Sequence, residues 1–296
     1  MCGIVGLYLK KKNLHKKLGF YLSGMIDNMS SRGPDSAGFA IYNNSKSKNL
    51  YKYSLSINDI KLSNKFEKEV CQHFKVIDIK NISDHLVVLS TVSPNKFIPY
   101  LQLKFDEISL VGYGKSIEIF KQVGNPKKIV KKFKLENFSG SHGVGHTRMA
   151  TESAITTAHS HPFSTGDDLC LVHNGSLSNH NRLRAKLQKE GIYFSSDNDS
   201  EVAAGYLAWR IKQGKTIEEA LNHALEDLDG FYTFAIGTKD GFAVLRDPIA
   251  CKPAVISETD HWVAMASEYR AIALLPGAQS APAWEPAPGK IYSWSH

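Results

Sequence analysis

Cys2 stands directly behind the initiator methionine. Removal of Met1 would leave a thiol and a free α-amine on one residue. An α-amine has a reference pKa of about 7.7–8.0, low enough to act as a general base near neutrality. A terminal nucleophile activated by its own amine suits acyl transfer, and Gly3 lets substrate and backbone approach closely. An ordinary thiol ahead of a strand would have the same sequence, so Cys2 alone decides nothing. Asn174-Gly175 closes the apolar run Leu169-Cys170-Leu171-Val172. It offers a side-chain amide donor beside an unobstructed backbone N–H, a pair suited to an oxyanion; losing one such donor typically costs about 2.7–4 kcal/mol of transition-state stabilisation. The same dipeptide also makes tight turns. Arg148 could clamp a carboxylate with two parallel bonds, or form a surface ion pair. Asp199, within Ser196-Asp197-Asn198-Asp199-Ser200-Glu201, could hold an ammonium group, or serve as a helix N-terminal acid. One clamp for each charge is what a free α-amino acid requires.

These residues need elements to hold them. Ile4 to Leu9 reads as a buried strand. Leu14, Leu18, Tyr21, Leu22, Met25, Ile26 and Met29 recur at three- and four-residue spacings, which makes one helix face. Ser30 to Asp35 breaks that helix, and Phe39–Tyr42 follows as a strand. Residues 44–140 form a long insertion without a chemical motif, with strands at Leu86–Leu89 and Ile117–Phe120 and helical stretches near 60–74 and 127–134. Gly143 to Arg148 and Leu169 to Val172 are strands that end on the candidate residues. Helices follow at about 178–190, 200–213 and 216–228, the last opened by a Thr216/Glu219 capping box. Short strands come next: Tyr232–Ile236, Phe242–Leu245, Ala254–Ile256 and Trp262–Ala266. The Pro/Ala/Gly-rich stretch 276–288 is expected to lack regular structure, and Lys290–Trp294 to return as a last strand. Strands, helices and strands again make a layered α/β or α+β fold.

Cys2-Gly3-Ile4-Val5-Gly6, Arg32-Gly33-Pro34-Asp35-Ser36, Gly145-His146-Thr147-Arg148-Met149-Ala150-Thr151, His173-Asn174-Gly175 and Asp199-Ser200-Glu201 resemble, in the same chain order, the class-II glutamine amidotransferases. Arg246-Asp247-Pro248 and Ala266-Ser267-Glu268 resemble that family's later landmarks. The resemblance covers roughly residues 2–275, leaving 276–296 as a tail with a final strand. It implies an α+β fold, the four-layer αββα sandwich of N-terminal-nucleophile hydrolases, and hydrolysis of glutamine to glutamate and ammonia. By the same resemblance, Cys2 attacks the side-chain amide carbonyl, and Asn174 and Gly175 hold the oxyanion. Arg148 takes the α-carboxylate, Asp199 the α-amino group, Thr151 lines the pocket, and Arg32 belongs to the substrate side while ordering the terminal cysteine. Two features depart from the pattern: Met149 stands where many members carry tryptophan, and the 44–140 insertion is long.

Amidotransferases of this class usually fuse the glutaminase to a synthase domain. Here the chain stops soon after the last family landmark, so separate synthase subunits are expected as partners. The opening MCGIVGLYLKK, the RGPDSAG segment and the length look most like the glutaminase-type subunit of N-methylglutamate synthase. That likeness implies no cofactor in this chain, with FMN and iron–sulfur on partner subunits. A stand-alone amidohydrolase acting on another γ-glutamyl amide is one alternative. A non-catalytic docking or nucleic-acid-binding protein is another.

Composition narrows the classes. The 296 residues are 42% hydrophobic and 22% charged, an ordinary globular balance that argues against disorder. No run approaches the ~18 apolar residues of a membrane span. The N-terminus puts apolar residues before lysines, the reverse of a secretory signal. Cys2, Cys71, Cys170 and Cys251 form no CxxC pair, which suits a reducing cytoplasm; the last three are read as buried apolar residues. The formal charge of +7 divides into +12 for residues 1–140 and −5 for 141–296. The lysine excess, with Lys10–Lys12, Lys121 and Lys127–Lys134, is read as solvated helix faces, since no RNP-like aromatic pattern interleaves it. His159 and His161 lack a third ligand at suitable spacing, so no metal is expected.

Overall fold

The computed structural model describes residues 2–43, 49–57, 59–150 and 154–295. Gly3–Leu9 forms a central strand whose side chains alternate between two cores. Val5, Leu7 and Leu9 face a helical layer, while Ile4 and Tyr8 face a second sheet. This strand lies within a seven-stranded antiparallel sheet. Its order is Ala283–Trp284, Val255–Glu258, Trp262–Ala266, Gly3–Leu9, His142–Arg148, Ser36–Tyr42, Ile117–Val123. The second sheet runs Ile291–Ser295, Gly241–Arg246, Gly230–Gly237, Leu169–Leu177, Phe163–Gly166, also antiparallel.

Helices Leu18–Asn28 and Pro126–Lys132 cover the outer face of the first sheet. His180–Lys189, Asp199–Lys212 and Ile217–Asp227 cover the outer face of the second. Cys170, Val172, Ala235 and Val244 meet Ile4, Val144 and Met265 between the sheets. The result is the expected α+β order of helix, sheet, sheet, helix. The capping box is present: Thr216 Oγ1 accepts from the Glu219 amide at 3.2 Å, and the Thr216 amide donates to Glu219 Oε2 at 2.8 Å. Among the described residues, no helix is long and apolar enough to cross a membrane.

The region read as one insertion divides in two. Tyr51–Ser56, Val76–Ile82, His85–Ser90 and Ser109–Gly114 build a separate four-stranded sheet. Helices Ile60–His73 and Pro94–Lys104 pack on it around Tyr53, Leu55, Phe66 and Phe97. Ile117–Val123 and Pro126–Lys132, by contrast, belong to the main body. Helix Pro94–Lys104 is absent from the sequence reading, where Pro99 inside it breaks the helical pattern. In the tail, Ala283–Trp284 adds a short edge strand to the first sheet, and the last strand, Ile291–Ser295, joins the second as expected.

Two further expectations need correction. Cys170 is buried, and burial pushes its thiol up to about 12, but Cys71 and Cys251 are exposed. Lys121 lies on the buried strand Ile117–Val123, not on a solvated helix face.

Lys52 is also buried, and ties the four-stranded sheet to the main body. Its ammonium donates to Glu118 Oε1 at 2.7 Å and to the carbonyls of Asn43 and Ser116 at 3.0 and 3.3 Å. Both side chains of the pair are only 7% exposed. Removing one partner of a buried ion pair strands the other charge in a poor solvent. Glu118→Ala should therefore lower stability by about 3–5 kcal/mol in denaturant unfolding, as expected for a broken buried pair. A loss below about 1 kcal/mol, the range of exposed pairs, would contradict this account of the junction.

Candidate active site

Two sheets meet at Cys2. The cysteine precedes strand Gly3–Leu9, and that strand's register sets Gly3 opposite Thr147, next to the strand end at Arg148. Ser267 holds the strand's start, its Oγ accepting from the Ile4 amide at 2.9 Å while its own amide donates to the Ile4 carbonyl at 2.9 Å. The Cys2 carbonyl accepts from Arg32 Nε at 3.0 Å and from Asn174 Nδ2 at 3.4 Å. Arg32 Nη1 also pairs with Glu268 Oε1 at 2.6 Å. Arg32 thus acts on the cysteine backbone. The thiol faces the Met149 carbonyl, 3.8 Å away.

Cys2 opens onto a pocket of about 280 Å³ whose walls include Arg148, His161, His173, Gly175 and Asp199. Asp35 shapes the segment after Arg148: its amide donates to the Arg148 carbonyl at 3.0 Å, and its Oδ2 accepts from the Ala150 amide at 2.8 Å. Arg148 is buried, and its Nη1 donates to the Ala154 carbonyl at 3.0 Å. Asp199 opens helix Asp199–Lys212, which Asn198 caps through a 2.9 Å bond from the Ser200 amide. Its Oδ2 accepts from the Leu177 amide at 2.9 Å. Gly175 has a φ of +148°, and a Cβ there would lie 2.0 Å from the Phe231 carbonyl. Only glycine fits. The structure therefore gathers Cys2, Arg148, Gly175 and Asp199 around one pocket, with Asn174 and Arg32 on the cysteine's carbonyl. Thr151 lies outside the described residues.

Burial raises the Cys2 thiol pKa, and the nearby Arg148 and Arg32 guanidinium groups oppose that rise. Burial lowers the Arg148 pKa, opposed by Cys2, Asp35, Asp197 and Asp199. The pocket therefore combines a thiol, one guanidinium and the Asp197 and Asp199 carboxylates.

A cluster of three imidazoles lies beneath it. His146 and His161 stack with centroids 3.9 Å apart, and His146 Nε2 meets the His173 carbonyl at 2.9 Å. His173 Nδ1 meets Ser200 Oγ at 2.8 Å. Both His161 ring nitrogens, His146 Nδ1 and His173 Nε2 are buried with no hydrogen-bond partner among the described residues. His161 and His173 belong to the pocket wall, and His146 stacks behind His161; sequence reasoning does not find this cluster. The sequence signal of His146 and His173 is a polar ring two residues before Arg148 and one before Asn174, on strands His142–Arg148 and Leu169–Leu177. His159 meets Asp197, a pocket-wall residue, at 2.6 Å, and among the described residues no cluster of three or more side chains is arranged to hold a metal.

Burial lowers His146 to a pKa of about 3 and drives His161 and His173 the same way. The unfolded chain, with an ordinary pKa near 6.5, then binds protons that the folded state refuses. The contribution of these histidines to stability should be complete above about pH 6.5 and fall on acidification toward pH 3, by about 1.4 kcal/mol per pH unit for His146 alone. Urea unfolding from pH 7.5 to 4, compared with His146→Asn, measures this; identical slopes in the two proteins would contradict a neutral His146.

Comparison with known proteins identifies the family and the fold. A family described as glutamine amidotransferase domain matches residues 146–274, the stretch that carries Arg148, Asn174, Gly175 and Asp199. The glutamine amidotransferase-like protein GlxB of Rhizobium meliloti is 49% identical, over 100% of this chain and 99% of its own length. An amidophosphoribosyltransferase of Methanocaldococcus jannaschii is 32% identical over 55% of this chain and 35% of its own. Among solved structures, a glutamine phosphoribosylpyrophosphate amidotransferase from B. subtilis shares the fold. Its TM-score is 0.63 at 19% identity, over 99% of this chain and 47% of that one. With a full-length relative at this identity, and the family's ordered motifs converging on one pocket, the chain belongs to the class-II glutamine amidotransferases.

Proposed function

We propose that this chain is a glutaminase subunit that hydrolyses glutamine through Cys2 and supplies ammonia to a separate synthase. One observation carries the reading: Cys2 opens onto a pocket in which a guanidinium, Arg148, and a carboxylate, Asp199, are both present. These are the charges complementary to a free α-amino acid. With Met1 removed, the α-amine takes the thiol proton and the sulfur adds to the side-chain amide carbonyl. The developing oxyanion is stabilised by Asn174 Nδ2–H and the Gly175 N–H. Collapse breaks the C–N bond, the α-ammonium returns its proton to the departing nitrogen, and ammonia leaves a glutamyl thioester. Water, deprotonated by the same amine, hydrolyses the thioester to glutamate.

The synthase we assign by sequence likeness is N-methylglutamate synthase, with FMN and iron–sulfur centres carried by its other subunits. Ammonia release from glutamine, compared with γ-glutamyl methylamide and other γ-glutamyl compounds, tests the substrate. A glutamine-analogue electrophile should label Cys2, with Met1 missing from the mass of the labelled peptide. Absence of glutaminase activity, with partner subunits present as well, would overturn the reading. Purifying the native complex identifies the acceptor chains.

A further inference from the structure

Lys121 occupies an unusual place for a cation. On strand Ile117–Val123 it follows Ile117 and Ile119, which fill the core between the sheets, and at a two-residue period it shares their face. It is 6% exposed. Its ammonium donates to the carbonyls of Ser160 at 2.8 Å, Ala158 at 3.3 Å and Pro162 at 3.4 Å. Three donors meet three acceptors. The Phe163 ring lies over the same nitrogen, 4.6 Å from it. The Lys121 amide reaches His85 Nε2 at 3.5 Å on the other side, and Glu201 is the acid whose field it feels. Burial lowers its pKa to about 8, which leaves it mostly charged at neutral pH.

The tethered loop lies directly on the sheet. Gly38 pairs with Lys121, and a Cβ on Gly38 would stand 2.2 Å from the His161 carbonyl and 2.5 Å from Lys121 Cβ. The loop also reaches the pocket by several routes. His161 forms part of its wall. His159 pairs with Asp197, another wall residue, and Ala154, just upstream, takes the bond from Arg148. The strand beneath supplies a fastening point, and the loop supplies the pocket's contours.

We infer that Lys121 is a positioning residue for amino-acid recognition: its ammonium fastens the 158–162 loop and so holds His161, and the stretch that braces Arg148, against the Cys2 pocket. The inference rests on the glutaminase reading. Lys121 touches no reacting atom, so its effect should fall on binding of the amino-acid portion and spare the thiol's intrinsic reactivity.

Full-length wild type, Lys121→Met and Lys121→Gln are compared by three readouts. The first is amide hydrogen exchange across 154–163. The second is the rate of Cys2 labelling by 6-diazo-5-oxo-L-norleucine against that by iodoacetamide, which needs no carboxylate clamp. The third is the division of any glutaminase loss between KM and kcat. For Lys121→Met, loop exchange should accelerate at least about tenfold as local opening becomes easier. Labelling by the amino-acid analogue should slow at least about tenfold, as misplaced binding groups do, while iodoacetamide labelling changes less than about threefold. The glutaminase loss should lie mainly in KM, and Lys121→Gln, which keeps a donor, should fall between the two. Equal slowing with both reagents would indicate general damage and overturn the proposal, as would wild-type exchange and labelling in Lys121→Met. If Lys121→Met does not fold, Lys121→Gln decides by the same criteria. A wild-type protein that the analogue never labels overturns the glutaminase reading, and the exchange measurement still judges the tether.

Discussion

Cys2→Ala should leave the fold intact and reduce glutamine hydrolysis by at least about 10⁴-fold in kcat, the scale on which losing a nucleophile acts. The contacts that place Cys2 explain why the fold should survive. Its carbonyl is held by Arg32 and Asn174, and the following strand by Ser267 and the paired strands on either side. All of these bonds use backbone atoms of the strand, and alanine keeps them. The side chain contributes a half-buried thiol facing the Met149 carbonyl. Burial raises that thiol's pKa, so little thiolate forms unaided and a base must remove the proton as attack begins. On the proposed mechanism that base is the α-amine exposed by loss of Met1, within the same residue. Blocking Met1 removal should therefore silence the enzyme about as thoroughly as Cys2→Ala, although the thiol remains. Ammonia release and the mass of the analogue-labelled N-terminal peptide check both variants. Hydrolysis retained within about tenfold in Cys2→Ala would move the nucleophile elsewhere, since other losses of that size come from supporting groups.

The residues around this pocket were legible because each sits at a local break the chain announces. Gly3, Gly33-Pro34 and Gly175 mark places where backbone turns or presses close, and the candidate polar side chains stand beside them. Asp199 was visible by the same logic, at a capped helix start. What escaped notice depends on distant pairing. Ile117–Val123 reads as part of an insertion because its partner strand, Ser36–Tyr42, lies far upstream and the register between them has no local trace. With the strand misassigned, Lys121 joined a count of surface lysines, although its alternation with Ile117 and Ile119 placed it on a buried face. Lys52 was lost in the same way: nothing near it in sequence announces Glu118. Helix Pro94–Lys104 was hidden by Pro99. The cores between layers followed from periodicity, whereas buried charge depended on which strands met.

Asn174→Ala should lower kcat by about 10²–10³-fold, as loss of an oxyanion donor does, while KM for glutamine changes little. Asn174 lies on strand Leu169–Leu177, which pairs along its length with Gly230–Gly237, so its Cα is fixed independently of its amide. Among the described residues, Nδ2 makes a 3.4 Å bond to the Cys2 carbonyl, and Arg32, at 3.0 Å, holds the same oxygen without it. That bond is long and its acceptor neutral; an oxyanion forming at the substrate carbon is a stronger acceptor, so the donor gains most in the transition state. The substrate's charged ends would meet Arg148 and Asp199, which the substitution does not touch, and ground-state binding should persist. Gly175 offers no comparable test, because a side chain there collides with the Phe231 carbonyl and would disturb the strand itself. Asn174→Asp sharpens the argument: it is nearly isosteric, yet replaces a donor with a negative charge facing the developing oxyanion, and should be at least as impaired as alanine. Steady-state glutaminase kinetics on both variants decide the matter. A rise in KM without a fall in kcat would show that Asn174 serves binding, and an active Asn174→Asp would remove it from the oxyanion site.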